Sequence, residues 1–161
     1  GLSGPAALQA SSYWRAGQPL GIDLAFGADL AAVLRSAKLA SKRQFGNELG
    51  QHLPQRMADA WLAKLGLDAA IPMPQIRDKD IDKLVASLSR WTPVPARTEG
   101  WAKAEVTAGG GDTRELDSRS MESRRMPGLH FIGEVVDVTG WLGGYNFQWA
   151  WSSGHACAQA L

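Results

Sequence analysis

The chain has 161 residues, 45% apolar and 20% charged, the make-up of a folded domain with a core rather than of a disordered or fibrous chain. Its 17 Lys and Arg against 16 Asp and Glu leave a net charge of +1, too weak a field to draw in nucleic acid or an anionic membrane, so neither is expected as a partner. No stretch approaches the roughly 20 apolar residues of a membrane span, and the single cysteine, Cys157, excludes an internal disulfide and a cysteine-rich zinc site. A cytoplasmic protein is expected.

The chain opens GLSGPAALQASSYW, without an initiator Met, a basic n-region or an apolar signal core, which predicts a fragment. Gly4-Pro5 predicts a short helix over Ala6, Ala7 and Leu8, since Pro is tolerated in a first helical turn. Leu20, Ile22, Leu24 and Phe26 alternate in strand fashion and would share one face.

The middle is helical. Asp29 stands where an N-cap belongs, and Leu30, Val33, Leu34 and Ala37 follow at the spacing of one buried helical face. Pro54 begins a second helix with Met57, Ala58, Trp61, Leu62 and Leu65 inward and Gly66 as its stop. A third starts near Asp78 and carries Ile81, Leu84, Val85 and Leu88, while Ile71-Pro72-Met73-Pro74 between them is extended.

After Ser89 strand signals return. Trp91-Thr92-Pro93-Val94-Pro95 is an edge-like run, residues 101–106 place Ala102, Ala104 and Val106 on one face, and Gly109 to Gly111 end it. Residues 112–125 are polar, Leu129-His130-Phe131-Ile132 is consistent with a buried strand, and the residues beyond Gly144 read as a helix.

The segment from Pro127 to Ala160 carries the strongest chemical signal. A strand ends at Gly133-Glu134, and Gly143-Gly144 open a helix whose first turn has free N–H groups and a positive dipole end. A phosphate, a carboxylate or the pyrimidine carbonyl edge of a reduced flavin suits such a terminus, and glycine lets it lie against the backbone.

The residues Gly133-Glu134, Asp137, Gly143-Gly144-Tyr145-Asn146 and Gln148-Trp149-Ala150-Trp151, in that order, resemble the close of the FAD domain in the BaiN-like, aminoacetone-oxidase-type bacterial FAD-dependent flavoprotein oxidoreductases. Val106-Thr107-Ala108-Gly109-Gly110 and Gly1-Leu2-Ser3-Gly4-Pro5-Ala6 match the same family. The resemblance implies an α+β fold in which a helical insert interrupts a β-barrel-like region, followed by the C-terminal strand-helix segment of a two-dinucleotide-binding FAD domain. On that pattern residues 1–28 and 89–103 would be barrel-like, 29–88 the helical insert and 104–161 the returning FAD domain. The Gly-x-Gly-x-x-Gly that would hold the pyrophosphate is not in this sequence, so the chain by itself is expected to bind FAD weakly or not at all.

By the same resemblance Glu134 would bond the ribityl or phosphate region, and the N–H groups from Gly144 to Asn146 would face flavin N1 and the C2 carbonyl. Thr107, Gly109 and Gly110 would lie near the isoalloxazine, and Gly133, Asp137, Gly143 and Tyr145 complete the predicted cofactor wall. No catalytic side chain is singled out, since the cofactor performs the redox step. NAD(P)H is a possible donor, a small molecule the expected substrate in the intact protein, and a homo-oligomer the possible assembly. The competing reading is a stand-alone interaction module that uses the helical insert as its recognition surface.

Other residues have plainer roles. Cys157 is expected to pack among small helix residues, Trp61 on a helical core face, Trp91 or Trp101 on a barrel face, and Trp149 and Trp151 to pack beside the site. His155 and Cys157 do not share a helix face, and His52 and His130 are isolated, so no metal site is expected. Arg114, Arg119, Arg124 and Arg125 alternate with acids as a solvated connection, with recruitment of NAD(P)H by Arg124 and Arg125 as the lesser alternative.

Overall fold

The computed structural model describes residues 1–25, 27 and 29–161. Phe26, expected on the strand face, and Ala28, the expected end of the first barrel-like segment, lie outside the described residues. The described helices are α1 (Pro5–Ser11), α2 (Leu30–Ala40), α3 (Phe45–Leu49), α4 (Gln55–Leu65), α5 (Asp78–Ser89) and α6 (Tyr145–Ala160). The chain divides into two compact units, Pro19–Val94 and a second made of Gly1–Gln18 with Pro95–Leu161.

In Pro19–Val94, α2 through α5 surround one apolar core. Asp29 caps α2 as expected, accepting the Ala32 N–H at 2.9 Å. Leu30 and Leu34 are then buried, while Val33, expected beside them, is 40% exposed. Ala58, Trp61 and Leu62 of α4 and Ile81, Leu84 and Leu88 of α5 meet them, and α4 ends at Gly66, whose φ of 65° is the left-handed value that glycine adopts without strain.

Periodicity did not reveal α3, because a helix of five residues presents too little of a pattern. Its place is set by tertiary contact: Phe45 and Leu49 are fully buried, and the Gly46 backbone lies against Ala69 so closely that an added Cβ would come within 3.0 Å of the Ala69 methyl. Glu48 is also buried, with Ser41 Oγ donating to its carboxylate at 2.8 Å and the Arg43 guanidinium at 3.6 Å.

The β pairing here is brief. Residues 20–24 and 88–93 lie antiparallel, with Ile22 N–H donating to Trp91 O at 2.8 Å and Leu20 N–H to Pro93 O at 2.8 Å. Beside this pair Trp91 meets Trp61 edge to face, ring centroids 5.4 Å apart. Trp91 therefore packs on the helical core, and no barrel is formed among the described residues: β contacts are isolated bridges.

The second unit has a smaller core of Leu116, Met121, Val136 and Cys157, with Ser153 the buried polar residue. Cys157 packs as expected. Two expectations are corrected here. Residues 101–106 do not form a strand: Gly100–Ala102 is a turn of 3-10 helix and Trp101 is 84% exposed. Leu129–Ile132 is extended but not buried, with Leu129 and Ile132 both substantially exposed and a single bridge from His130 to Glu122. A run of consecutive apolar residues is buried only when layers cover both faces of the strand, and in this unit α6 covers one, through Ile132 against Gly154.

Candidate functional site: a glycine-lined wall at the start of α6

All ten predicted cofactor residues lie in the second unit. Three separate local contacts involve most of them, and Thr107 and Glu134 take part in none.

In the first, Gly109 to Gly111 run beside Val135 to Asp137. Gly111 N–H donates to Val135 O at 2.8 Å, Asp137 N–H returns to Gly111 O at 2.9 Å, and the two segments form a parallel bridge at Val136. The Asp137 carboxylate accepts the Gly109 N–H at 3.0 Å. At Gly110, φ is 139° and an added Cβ would stand 2.5 Å from Val135 O, so only glycine fits. Thr107 is half-buried just before this clamp.

In the second, Gly133 opens a 3-10 turn that carries Glu134 and Val135 and packs on α6. Ser153 Oγ accepts the Gly133 N–H at 2.9 Å and Trp149 Nε1 donates to Gly133 O at 2.9 Å. Trp149 thus packs as expected. Trp151 does not: it is 76% exposed. Glu134 is exposed.

In the third, the turn before α6 closes on itself. Asn146 Oδ1 accepts the Gly140 N–H at 2.6 Å and Asn146 Nδ2 donates to Gly140 O at 3.3 Å. Gly143 and Gly144 have φ of 122° and 92°, and the Tyr145 ring lies along Gly143. Gly144 is the N-cap of α6, and no side chain caps that end.

This geometry fits one edge of a flavin. Gly144 has open space where a Cβ would stand and no side chain caps the first turn of the 16-residue α6, while Gly140 packs against that turn, an added Cβ there standing 3.1 Å from the Asn146 N. Such a terminus stabilises an electron-rich carbonyl edge by hydrogen bonding and dipole. The side chains of Asp137, at the surface, and Asn146, half-buried, hold the glycine segments in place. Sequence reasoning missed Ser153, which it grouped with its small neighbours. Its hydroxyl is what fixes Gly133, and no spacing pattern reports a hydrogen bond across twenty residues.

The arginines considered for nicotinamide binding are engaged locally. Arg124 Nε donates to Leu116 O at 3.0 Å and Arg125 pairs with Glu115. Arg114 holds the Asp112 carboxyl down to about 2 by its side-chain hydrogen bonds, and the Arg119 and Ser120 amides lower that of Asp117. The concave surfaces of Pro19–Val94, including one of 610 Å³ near Ser41 and Arg43, contain none of the predicted site residues. No helix among the described residues is long and apolar enough to cross a membrane.

A ribosomal RNA dihydrouridine synthase of Escherichia coli (strain K12) is 51% identical across the whole of this chain, which spans 40% of that protein. A protein of the same name from Haemophilus influenzae (strain ATCC 51907 / DSM 11121 / KW20 / Rd) is 43% identical over the same span and share. A 3-dehydro-bile acid delta(4,6)-reductase of Clostridium scindens (strain ATCC 35704 / DSM 5676 / VPI 13733 / 19) is 31% identical over 66% of this chain and 26% of its own length. Residues 22–160 match the HI0933-like protein Rossmann domain, and the chain belongs to that flavoprotein-related family.

Proposed function

We propose that this chain is the C-terminal portion of an FAD-binding flavoprotein oxidoreductase, that it supplies the flavin-facing wall, and that the whole enzyme reduces uridine in ribosomal RNA to dihydrouridine. The observation that carries the flavin reading is the uncapped start of α6 behind Gly143 and Gly144, with the glycines at 109, 110 and 133 packed into the same unit. The substrate reading rests on the two relatives named for that activity, 51% and 43% identical over the full chain. A BaiN-like, aminoacetone-oxidase-type membership is the finer alternative within the same family, and the bile acid reductase is the relative that favours it.

In this reading the N–H groups from Gly144 to Asn146 would face the flavin N1 and C2 carbonyl edge, and Glu134 would bond the ribityl or phosphate region. A bound flavin in its reduced form would supply the hydride that, with one proton, saturates the C5–C6 bond of uracil. The protein's part is electrostatic and positional: a fixed donor set favours the negative charge that reduction places at N1. The pyrophosphate and adenine half of the cofactor would be held by residues outside this chain.

Two preparations test the proposal. The intact enzyme is expected to be yellow and to form dihydrouridine in ribosomal RNA, detected by mass spectrometry of its nucleosides. The 161-residue chain, titrated with FAD by calorimetry, is expected to bind weakly. Submicromolar binding by the chain would overturn its assignment as one wall of a shared site, and a colourless intact protein would overturn the flavin reading. A colourless intact protein that captures a partner through Pro19–Val94 would leave the interaction-module reading standing instead.

A further inference from the structure

The loop before α6 carries exposed aromatic rings that the flavin wall does not use. Trp141 and Tyr13 are 66% and 67% exposed, and Trp141 Nε1 donates to the Tyr13 hydroxyl at 3.0 Å. The backbone around them is pinned, because Gln9 Oε1 of α1 accepts the Leu142 N–H at 2.8 Å. Tyr145, 62% exposed, follows across the glycine turn. The polar tips of Trp141 and Tyr13 satisfy each other, so much of their ring surface is left to solvent on a loop whose position is set by α1.

We propose that Trp141 and Tyr13 form a stacking platform for an unstacked pyrimidine base of the RNA substrate, beside the glycine turn that faces the flavin. The inference rests on the dihydrouridine reading above. An enzyme that reacts at a base must take it out of its stack and hold it, and aromatic side chains are the usual support. Stacking requires no net charge. It therefore suits a chain with a net charge of +1, in which phosphate contacts alone would give a weak, salt-sensitive complex. The net charge of +1 led to the expectation of no nucleic-acid partner, and the platform replaces that expectation with a base held by stacking.

The test uses the intact flavoenzyme with a ribosomal RNA transcript. Trp141→Ala is expected to raise the KM for RNA about 5- to 150-fold, the span of one lost base stack, with the flavin absorbance spectrum unchanged. Trp141→Phe, which keeps a ring and loses the indole N–H, is expected to recover most of the affinity. An unchanged KM in Trp141→Ala overturns the platform while leaving the dihydrouridine reading intact. Loss of flavin absorbance in Trp141→Ala also overturns it, because the ring would then serve the cofactor or pack against the remainder of the enzyme. Wild-type enzyme that forms no dihydrouridine overturns the underlying reading and the platform with it.

Discussion

The Asp137 carboxylate accepts the Gly109 amide at 3.0 Å, joining two glycine-flanked segments 28 positions apart. Asp137 was predicted as part of the cofactor wall, and its side chain holds the loop of Gly109. Asp137→Ala is expected to destabilise the chain by about 1 kcal/mol, the usual worth of one exposed charge-assisted bond to an amide. Asp137→Asn keeps an acceptor oxygen and should lose less. Thermal melts of the three proteins, with hydrogen exchange at the Gly109 amide, check the order.

Gly109 and Gly110 are adjacent but should respond differently to alanine. At Gly109 the space around a Cβ is open and the cost is that of a positive φ, about 1–2 kcal/mol. At Gly110 the Cβ would also meet Val135 O at 2.5 Å, which a backbone atom cannot evade without breaking the bridge at Val136. Gly110→Ala should therefore unfold at lower denaturant than Gly109→Ala, and equal midpoints would contradict this packing.

Ser153 is 2% exposed and its hydroxyl both accepts from Gly133 and donates to Trp149 O at 2.8 Å. Ser153→Ala should leave the Gly133 N–H without its partner at a cost of about 1–3 kcal/mol. Ser153→Thr keeps the hydroxyl, so a melt in which it falls as far as alanine would assign the loss to volume rather than to the hydrogen bond.

In the helical unit, the edge-to-face pair Trp61 and Trp91 has its rings 88° apart, and Lys64 lies over the Trp61 ring at 4.6 Å. A double-mutant cycle with Trp61→Leu and Trp91→Leu is expected to give a coupling of about 0.5–1.5 kcal/mol beyond the single losses. Additive losses would mean that the rings contribute only by burial.

Asp112 sets a pH dependence. Arg114 holds its folded pKa at about 2, below the unfolded value near 4. A depressed carboxylate stabilises the fold fully above the unfolded pKa, and that contribution disappears as pH falls through about 2. The Asp112 carboxyl shift followed by NMR should thus titrate close to 2 in the folded chain and move up toward 4 in Arg114→Gln.

The sequence by itself determined the features that repeat within one element. The faces of α2, α4 and α5 recur every three or four residues, and their ends are marked by Asp29, Pro54 and Gly66, so each helix was legible from its own residues. The glycine turn at residues 143 and 144 and the helix after it were legible for the same reason. What joins distant segments was decided only in the tertiary structure. The five residues of α3 are helical because Phe45 and Leu49 fill the core of Pro19–Val94, and Gly133 and Gly109 are fixed by Ser153 and Asp137 from far along the chain. The apolar runs at 101–106 and 129–132 looked like buried strands because alternation and hydrophobicity record a preference for burial, while a buried strand also requires a neighbouring backbone, which 101–106 lacks, and a layer over each face, which 129–132 lacks although it pairs with 121–123. That partner is a property of the fold, and no local pattern encodes it.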